Sequence, residues 1–200
     1  YGRCGESFWG FQMQHNDVIP DIITTAKGMG NGVGIIGAVI CRRSIAEAFT
    51  SKMFFNTYSC NPTACAAALS VLDVIEEEKI MENCLIKGNY FKERLNEVCV
   101  EYPQIYKEVR GHGLFLGLEV NGKNINESLK NVEILQSGIV KNGVLIGSGS
   151  GVGNVLRIQP PMCIERDDID YVLEVLKNES KKLLRQKNFN KYLITNKSSS

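Results

Sequence analysis

The sequence has almost no charge imbalance: its 23 basic residues face 22 acidic ones, for a net charge of +1. No basic stripe recurs along the chain, which argues against a nucleic acid as partner. Long apolar runs are missing too. The mostly apolar stretches fall well short of the ~20 residues needed to cross a bilayer, so no membrane is expected as a partner. No leader with a basic start, an apolar centre and a small-residue cleavage site opens the chain. Histidine is scarce, with only His15 and His112, and both read as loop or surface residues. No CxxC pair occurs among the seven cysteines, Cys4, Cys41, Cys60, Cys65, Cys84, Cys99 and Cys163. Their odd number and scattered spacing fit small, half-buried thiols in a reducing compartment better than a disulfide framework or a zinc site. No metal is expected.

What the sequence does contain is enough apolar material for a core: 200 residues, 44% of them hydrophobic. That allows one large domain or two small ones. The opening residues, Tyr1-Gly2-Arg3-Cys4-Gly5, include no initiator Met. They read as the middle of a domain, so a longer parent chain is expected.

Residues 18–25 read as a short buried strand entered through Pro20, and residues 35–41 as another. Between them lies a glycine-rich segment, with glycines at 28, 30, 32, 34 and 37. Residues 44–50 form a short helix that Ser44 is placed to cap. Asn61-Pro62 opens a clearer helix, with Asn at the N-cap and Pro at the first helical position. Its apolar face runs through Ala64, Ala68, Leu72 and Ile75. The charged run Glu76-Glu77-Glu78-Lys79 marks the expected domain boundary, giving domains 1–79 and 80–185.

In the second half a helix carries Leu85, Phe91, Leu95 and Val98, and Pro103 interrupts the chain after it. A strand follows over residues 114–120, ending at the turn-rich Asn121-Gly122. Residues 128–141 read as a helix. Residues 144–146 and 155–158 read as strands joined by the glycine loop 147–153. A last helix begins after Pro160-Pro161, with Asp167, Asp168 and Asp170 in its first turn, where acids suit the helix dipole. Residues 186–200 are rich in Asn, Lys and Ser and read as a frayed tail. The alternation gives α/β layers followed by a smaller α+β unit.

Three residues stand out chemically. Lys27 follows an apolar strand and opens a glycine-rich turn. A lysine at a strand end facing a cleft is partly desolvated, so its neutral amine more readily attacks a carbonyl. Neighbouring glycines let a flat ring approach the backbone. The ordinary alternative is a surface lysine. Thr57 lies four residues before a helix N-cap, where hydroxyls and free amides favour a phosphate; the alternative is a plain capping loop. Arg157 sits among strand apolars. It either snorkels outward or presents its fork to a carboxylate. The runs Gly28-Met29-Gly30-Asn31-Gly32 and Gly147–Gly153 imitate dinucleotide loops, but neither has the full spacing or opens a strong helix.

Taken in order, several stretches resemble the class III (ω-type) aminotransferases, which depend on pyridoxal 5′-phosphate (PLP). They are Gly2 to Phe11, Pro20-Asp21-Ile22 with Ala26-Lys27-Gly28-Met29-Gly30-Asn31-Gly32, Phe55-Asn56-Thr57-Tyr58, Val109-Arg110-Gly111-His112-Gly113-Leu114, and Gly143–Gly147 with Leu156–Ile164. The resemblance runs from residue 1 to about residue 180. It implies the fold type I architecture of PLP-dependent transferases, here part of a large domain plus a small C-terminal α+β domain. It implies a homodimer or homotetramer and a mitochondrial location. It implies that Lys27 forms the Schiff base with PLP, that Thr57 holds the cofactor phosphate of the neighbouring subunit, and that Arg157 binds the substrate carboxylate. The implied reaction moves an amino group from alanine or a β-amino acid to glyoxylate or pyruvate.

Two departures accompany the resemblance. The N-terminal half of the family's large domain is not in this sequence, and with it go the residues that pair with the pyridine nitrogen, stack on the ring and form the main phosphate loop. This chain alone is therefore expected to be inactive. Where the family usually has two glycines after Thr57-Tyr58, this chain has Ser59 and Cys60. A different class III reaction, such as 4-aminobutyrate or ornithine transamination or an amino-phosphate lyase, is the alternative, as is a degenerate, non-catalytic homologue.

Overall fold

The computed structural model describes residues 1–13, 17–149 and 151–197, with side chains to residue 189. His15, read above as a loop residue, lies outside the described residues. The chain divides into two compact units, Tyr1–Glu82 and Asn83–Ser200. Among the described residues no helix is long and apolar enough to cross a membrane. Among the described residues no group of three or more His, Cys, Asp or Glu could hold a metal ion.

In the first unit, β1 (Ile22–Thr25) and β2 (Ala38–Cys41) pair antiparallel, with Thr25 opposite Ala38 and Ile22 opposite Cys41. The Arg42–Asp21 ion pair, at 2.7 Å, closes the far end of this ladder. Both partners are exposed, so it contributes little, about 0–1 kcal/mol. The two strands were expected to be buried. They alternate instead between exposed and half-buried positions, because the described residues put no second layer on them.

Helix α1 (Arg43–Thr50) forms where expected, but Ser44 does not cap it. The cap position is Arg42, with no side-chain bond to the first turn. Helix α2 (Pro62–Glu77) starts as the sequence predicts: the Asn61 side chain accepts from the Ala64 N–H at 3.1 Å. Such a cap contributes about 1 kcal/mol. Ala64 and Ala68 are buried, whereas Leu72 on the same expected face is 42% exposed.

The second unit is a four-stranded antiparallel sheet with three helices. Its strands are β3 (Tyr106–His112), β4 (Phe115–Val120), β5 (Gly147–Gly149) and β6 (Val155–Ile158), in the order β3-β4-β6-β5. One face is apolar, with Leu116, Leu118 and Val120 of β4 and Leu156 and Ile158 of β6 all buried. Helices α3 (Ile80–Glu101), α4 (Ile125–Lys141) and α5 (Arg166–Lys197) supply the other side of the core. Along α3 the buried residues are Ile80, Cys84, Gly88, Phe91, Leu95 and Val98, at the three- and four-residue steps of one helix face. Helix α4 buries Val132, Leu135 and Ile139, and Asn124 caps it by accepting from Glu127 N–H at 3.0 Å. Each fully buried aliphatic side chain contributes about 1.5–3 kcal/mol.

Two expectations change here. Residues 144–146 are not a strand. The strand is Gly147–Gly149, inside the glycine run read as a loop, because glycine leaves the backbone free to pair although it supplies no apolar pattern. Helix α5 continues beyond Gln186, where composition predicted fraying. An ion pair from Lys187 to Glu127 at 2.8 Å anchors it to α4.

Close packing fixes one glycine. A Cβ on Gly88 of α3 would stand 2.3 Å from the carbonyl carbon of Gly113 and 2.4 Å from its Cα. Backbone on both sides cannot yield cheaply, so overpacking costs about 1–3 kcal/mol. Gly88→Ala is expected to lower the unfolding free energy by that amount, read as a lower urea midpoint at constant m-value; an unchanged midpoint would mean that α3 and the β3–β4 turn part readily.

A second backbone position bears on the departures noted above. Cys60 sits at φ +55°, in the left-handed region that glycine enters freely and other residues enter at about 1–2 kcal/mol. The glycine expected at this position thus has a conformational reason. Cys60→Gly is expected to stabilise the protein by about 0.5–1 kcal/mol in urea unfolding, the strain relieved being partly offset by the greater freedom of glycine in the unfolded chain.

Candidate active site

Lys27 lies just beyond the last pair of the β1–β2 ladder. Ala26 is fully extended, and Lys27 then turns at φ +60° into a short 3₁₀ turn, Lys27–Gly30. A non-glycine residue held there stores about 1–3 kcal/mol of strain, a cost met often at functional sites. The turn is closed by bonds from Met29 N–H to Ala26 C=O at 3.4 Å and from Asn31 N–H to Gly28 C=O at 3.1 Å. Gly34, further along the same glycine run, packs against α2: an added Cβ would stand 2.7 Å from Ala64 Cα. The Lys27 turn is therefore seated on the first turn of α2.

The segment holding Thr57 leads into that same helix end. Asn56 organises it, its side-chain oxygen accepting from Tyr58 N–H at 2.9 Å and its carbonyl accepting from Ser59 N–H at 3.1 Å and Ser59 Oγ at 2.8 Å. Thr57 is exposed and its hydroxyl has no hydrogen-bond partner among the described residues. Lys27 is likewise exposed, with no acid paired to it among the described residues. The desolvation that the sequence reading invoked for Lys27 is thus not supplied by these residues. The Lys27 and Thr57 segments converge on one helix N-terminus, whose free amides and dipole favour an anion.

These residues fit PLP. The cofactor needs an amine free of an acidic partner, open space beside it and donors for a phosphate. Lys27 supplies the first. A Cβ on Gly28 would meet nothing nearer than 4.0 Å, and one on Gly32 nothing within 4 Å, which leaves room for a ring. The free amides at the start of α2 supply donors. Thr25 Oγ1, two residues before Lys27, is buried with no hydrogen-bond partner among the described residues. Sequence reasoning missed it, since a threonine in a strand carries no signal beyond β-propensity.

Arg157 lies in the second unit, on the sheet face opposite the core. Leu156 and Ile158 beside it point inward, and Arg157 is exposed. Its cross-strand partners are Gly117 on β4 and Gly147 on β5. The side chain lies across β5, where a Cβ on Gly149 would stand 2.9 Å from Arg157 Cδ. No carboxylate pairs with Arg157 among the described residues; its Nε–H donates to Gln159 Oε1 at 3.1 Å, and its Nη2–H reaches the same oxygen. Gln159 was also missed, although its place two residues on, with the strand period of two, signals a shared face. Arg157, Gln159, Leu145, Pro160 and Pro161 line an open groove of about 490 Å³.

Arg110 stands in the same cross-strand row, opposite Gly117, but is engaged. Glu108 holds it at 2.6 Å, and Glu119 holds it from β4. Hydrogen bonds from Arg110 first and Lys107 next keep the Glu119 carboxyl below its ordinary range.

The chain matches the family described as "Aminotransferase class-III" over residues 1–179. It is 42% identical over 178 residues to alanine–glyoxylate aminotransferase 2 homolog 2, mitochondrial, of Arabidopsis thaliana, covering 88% of this chain and 36% of that protein. It is 38% identical over 182 residues to the human alanine–glyoxylate aminotransferase 2, mitochondrial, covering 89% of this chain and 35% of that protein. Among solved structures, an Arthrobacter phospholyase in complex with phosphoethanolamine superposes with a TM-score of 0.81 at 33% identity, covering 90% of this chain and 42% of the other. The chain thus spans little more than a third of the length of these curated relatives. The matched residues include the strained Lys27 turn, the Thr57 segment and the strand that carries Arg157. The chain is a member of the class III aminotransferases, whose cofactor is pyridoxal 5′-phosphate, and its two units are parts of a fold type I enzyme.

Proposed function

We propose that the protein to which this chain belongs moves an amino group from alanine or a β-amino acid to glyoxylate or pyruvate, in the mitochondrion. The observation that carries this is the Lys27 turn: an amine without an acidic partner, on a strained backbone, seated on the first turn of α2. The likeness to proteins named alanine–glyoxylate aminotransferase 2 at 38–42% identity supports the choice of donor and acceptor.

When bound, PLP serves as an electron sink at the substrate Cα and carries the amino group between half-reactions. Lys27 would hold the cofactor through its amine, and the same amine would carry the α-proton. Its place at a strand end, on a turn held by backbone bonds, fixes where the side chain starts, and positioning of a reacting group is worth several kcal/mol in a proton transfer. Thr57 donates its hydroxyl to the cofactor phosphate of a neighbouring subunit. Arg157 binds the substrate carboxylate through its planar fork.

A homodimer is part of this reading. In the first unit Ile35, Met53, Phe55 and Tyr58 are between 84% and 103% exposed. Apolar side chains so displayed are characteristic of a surface that another element covers. The rest of the large domain and a second subunit are the proposed covers. Without them the chain is expected to be inactive.

A second reading keeps the cofactor and changes the reaction, and the Arthrobacter phospholyase favours it. Phosphoethanolamine has no carboxylate, so that reading leaves Arg157 without its ligand. Arg157 therefore separates the two. Arg157→Ala in the full-length protein is expected to raise KM for the amino acid at least tenfold, since losing one partner of a buried charge pair costs about 2–5 kcal/mol. An unchanged KM, with phosphate release from an amino-phosphate, would support the lyase.

Lys27 is tested without turnover. The full-length holoenzyme is expected to show a yellow band that borohydride bleaches, leaving the cofactor fixed to the peptide containing Lys27. Lys27→Ala removes the fixed label. A label on any other lysine would sink the assignment.

A further inference from the structure

We propose that Gln159 is a neutral latch on Arg157, occupying the edge of the guanidinium that the substrate carboxylate takes and yielding it on binding. The proposal rests on the reading of Arg157 as the carboxylate-binding residue. Its basis is the placement of one oxygen. Gln159 Oε1 accepts from both Nε–H and Nη2–H of Arg157, and these two donors form the side-on fork that a carboxylate meets with its two oxygens.

Two features of the strand set this up. Residues 157 and 159 fall on one face because side chains alternate along β6 and its continuation. Gly149 of β5 then lets the arginine lie flat. A Cβ there would stand 2.9 Å from Arg157 Cδ, so the glycine leaves the space that brings the guanidinium within reach of a side chain two residues on. Both Arg157 and Gln159 are exposed, and Gln159 also borders the groove beside Pro160 and Pro161, so the amide has room to rotate away.

The chemistry of the latch follows from its charge. An amide oxygen satisfies two donors of the guanidinium but brings no counter-charge, and a charge-assisted pair is about twice as strong as a neutral bond. A carboxylate therefore displaces Gln159, whereas a built-in carboxylate would compete with it. A neutral latch suits an arginine that must accept the carboxylate of an amino acid in one half-reaction and of an oxo acid in the next, with no internal ion pair to break in either.

The test is calorimetric titration of the full-length holoenzyme with propionate, which has the carboxylate but no amine. Gln159→Leu is expected to tighten propionate binding about three- to tenfold, by removing the competitor. Gln159→Glu is expected to weaken it about tenfold or more, by supplying an internal ion pair. These opposite signs are what a merely structural residue would not give. Binding that Gln159→Leu leaves unchanged or weakens overturns the latch, as does Gln159→Glu binding propionate as well as the wild type. Arg157→Leu forms the separate arm. If it abolishes propionate binding, the arginine reading stands whatever Gln159 does; if binding survives, that reading fails and the latch fails with it.

Discussion

The first unit depends on the contact between Gly34 and Ala64. The backbone of the glycine run lies so close to helix α2 that a single added carbon at Gly34 would stand 2.7 Å from Ala64 Cα. That approach needs a glycine on one side and an alanine on the other. It seats the Lys27 turn on the first turn of α2, and the Asn61 cap fixes where α2 begins. The alanine-rich start of α2 and the glycine-rich segment after Lys27 are two halves of one constraint. It lets a strained lysine and a phosphate-suited helix end share a neighbourhood.

The two units differ in how they hold themselves. The second has a sheet with one apolar face, three helices over it and large side chains such as Phe91, Leu135 and Leu156 fully buried. The first buries little beyond small residues, while many of its large apolar side chains face outward. A surface of that kind is costly in water unless something covers it. Strain at Lys27 and at Cys60 adds to that cost. The packing that holds such backbone in place has to come from elements beyond those described, which is consistent with a chain spanning 35–36% of two full-length relatives.

Features with a strong local pattern were legible in the sequence. Asn61-Pro62 read correctly as a helix start because a cap and an N1 proline act within one turn. The helix carrying Phe91, Leu95 and Val98 read correctly because its burial is periodic. The failures share a cause. Ser44 reads as a cap by residue type alone, but the helix is entered two residues earlier, at Arg42. β5 was hidden because a run of glycines has no alternation to read, and its pairing with β6 is a tertiary fact. The exposure of β1 and β2 could not be read either, since an apolar strand looks the same whether or not its cover is part of the chain. Lys27, Thr57 and Arg157 stood out through motif order. Gln159 and Thr25 did not: the bond from Arg157 to Gln159 depends on how the arginine side chain lies across the sheet, and the burial of Thr25 Oγ1 without a partner is a tertiary fact.

The sheet also explains why one arginine rather than another is offered to a ligand. Arg110 and Arg157 lie in one cross-strand row with Gly117 between them. By type and strand placement they are equivalent, and the sequence motifs flag both. Their neighbours make the difference. Arg110 has Glu108 two residues before it on β3 and Glu119 diagonally across on β4, and both carboxylates bind it. Glu119 in turn holds Lys107 at 3.0 Å. Hydrogen bonds from Arg110 and Lys107 hold the Glu119 carboxyl below its ordinary range, which favours the ionised form that pairs with Arg110. Arg157, two strands over, faces glycines on both sides and has only an amide two residues on. One guanidinium of the row is thus already paired with acids and the other is held by a neutral oxygen, which is why the proposed carboxylate-binding role falls to Arg157 and not to Arg110.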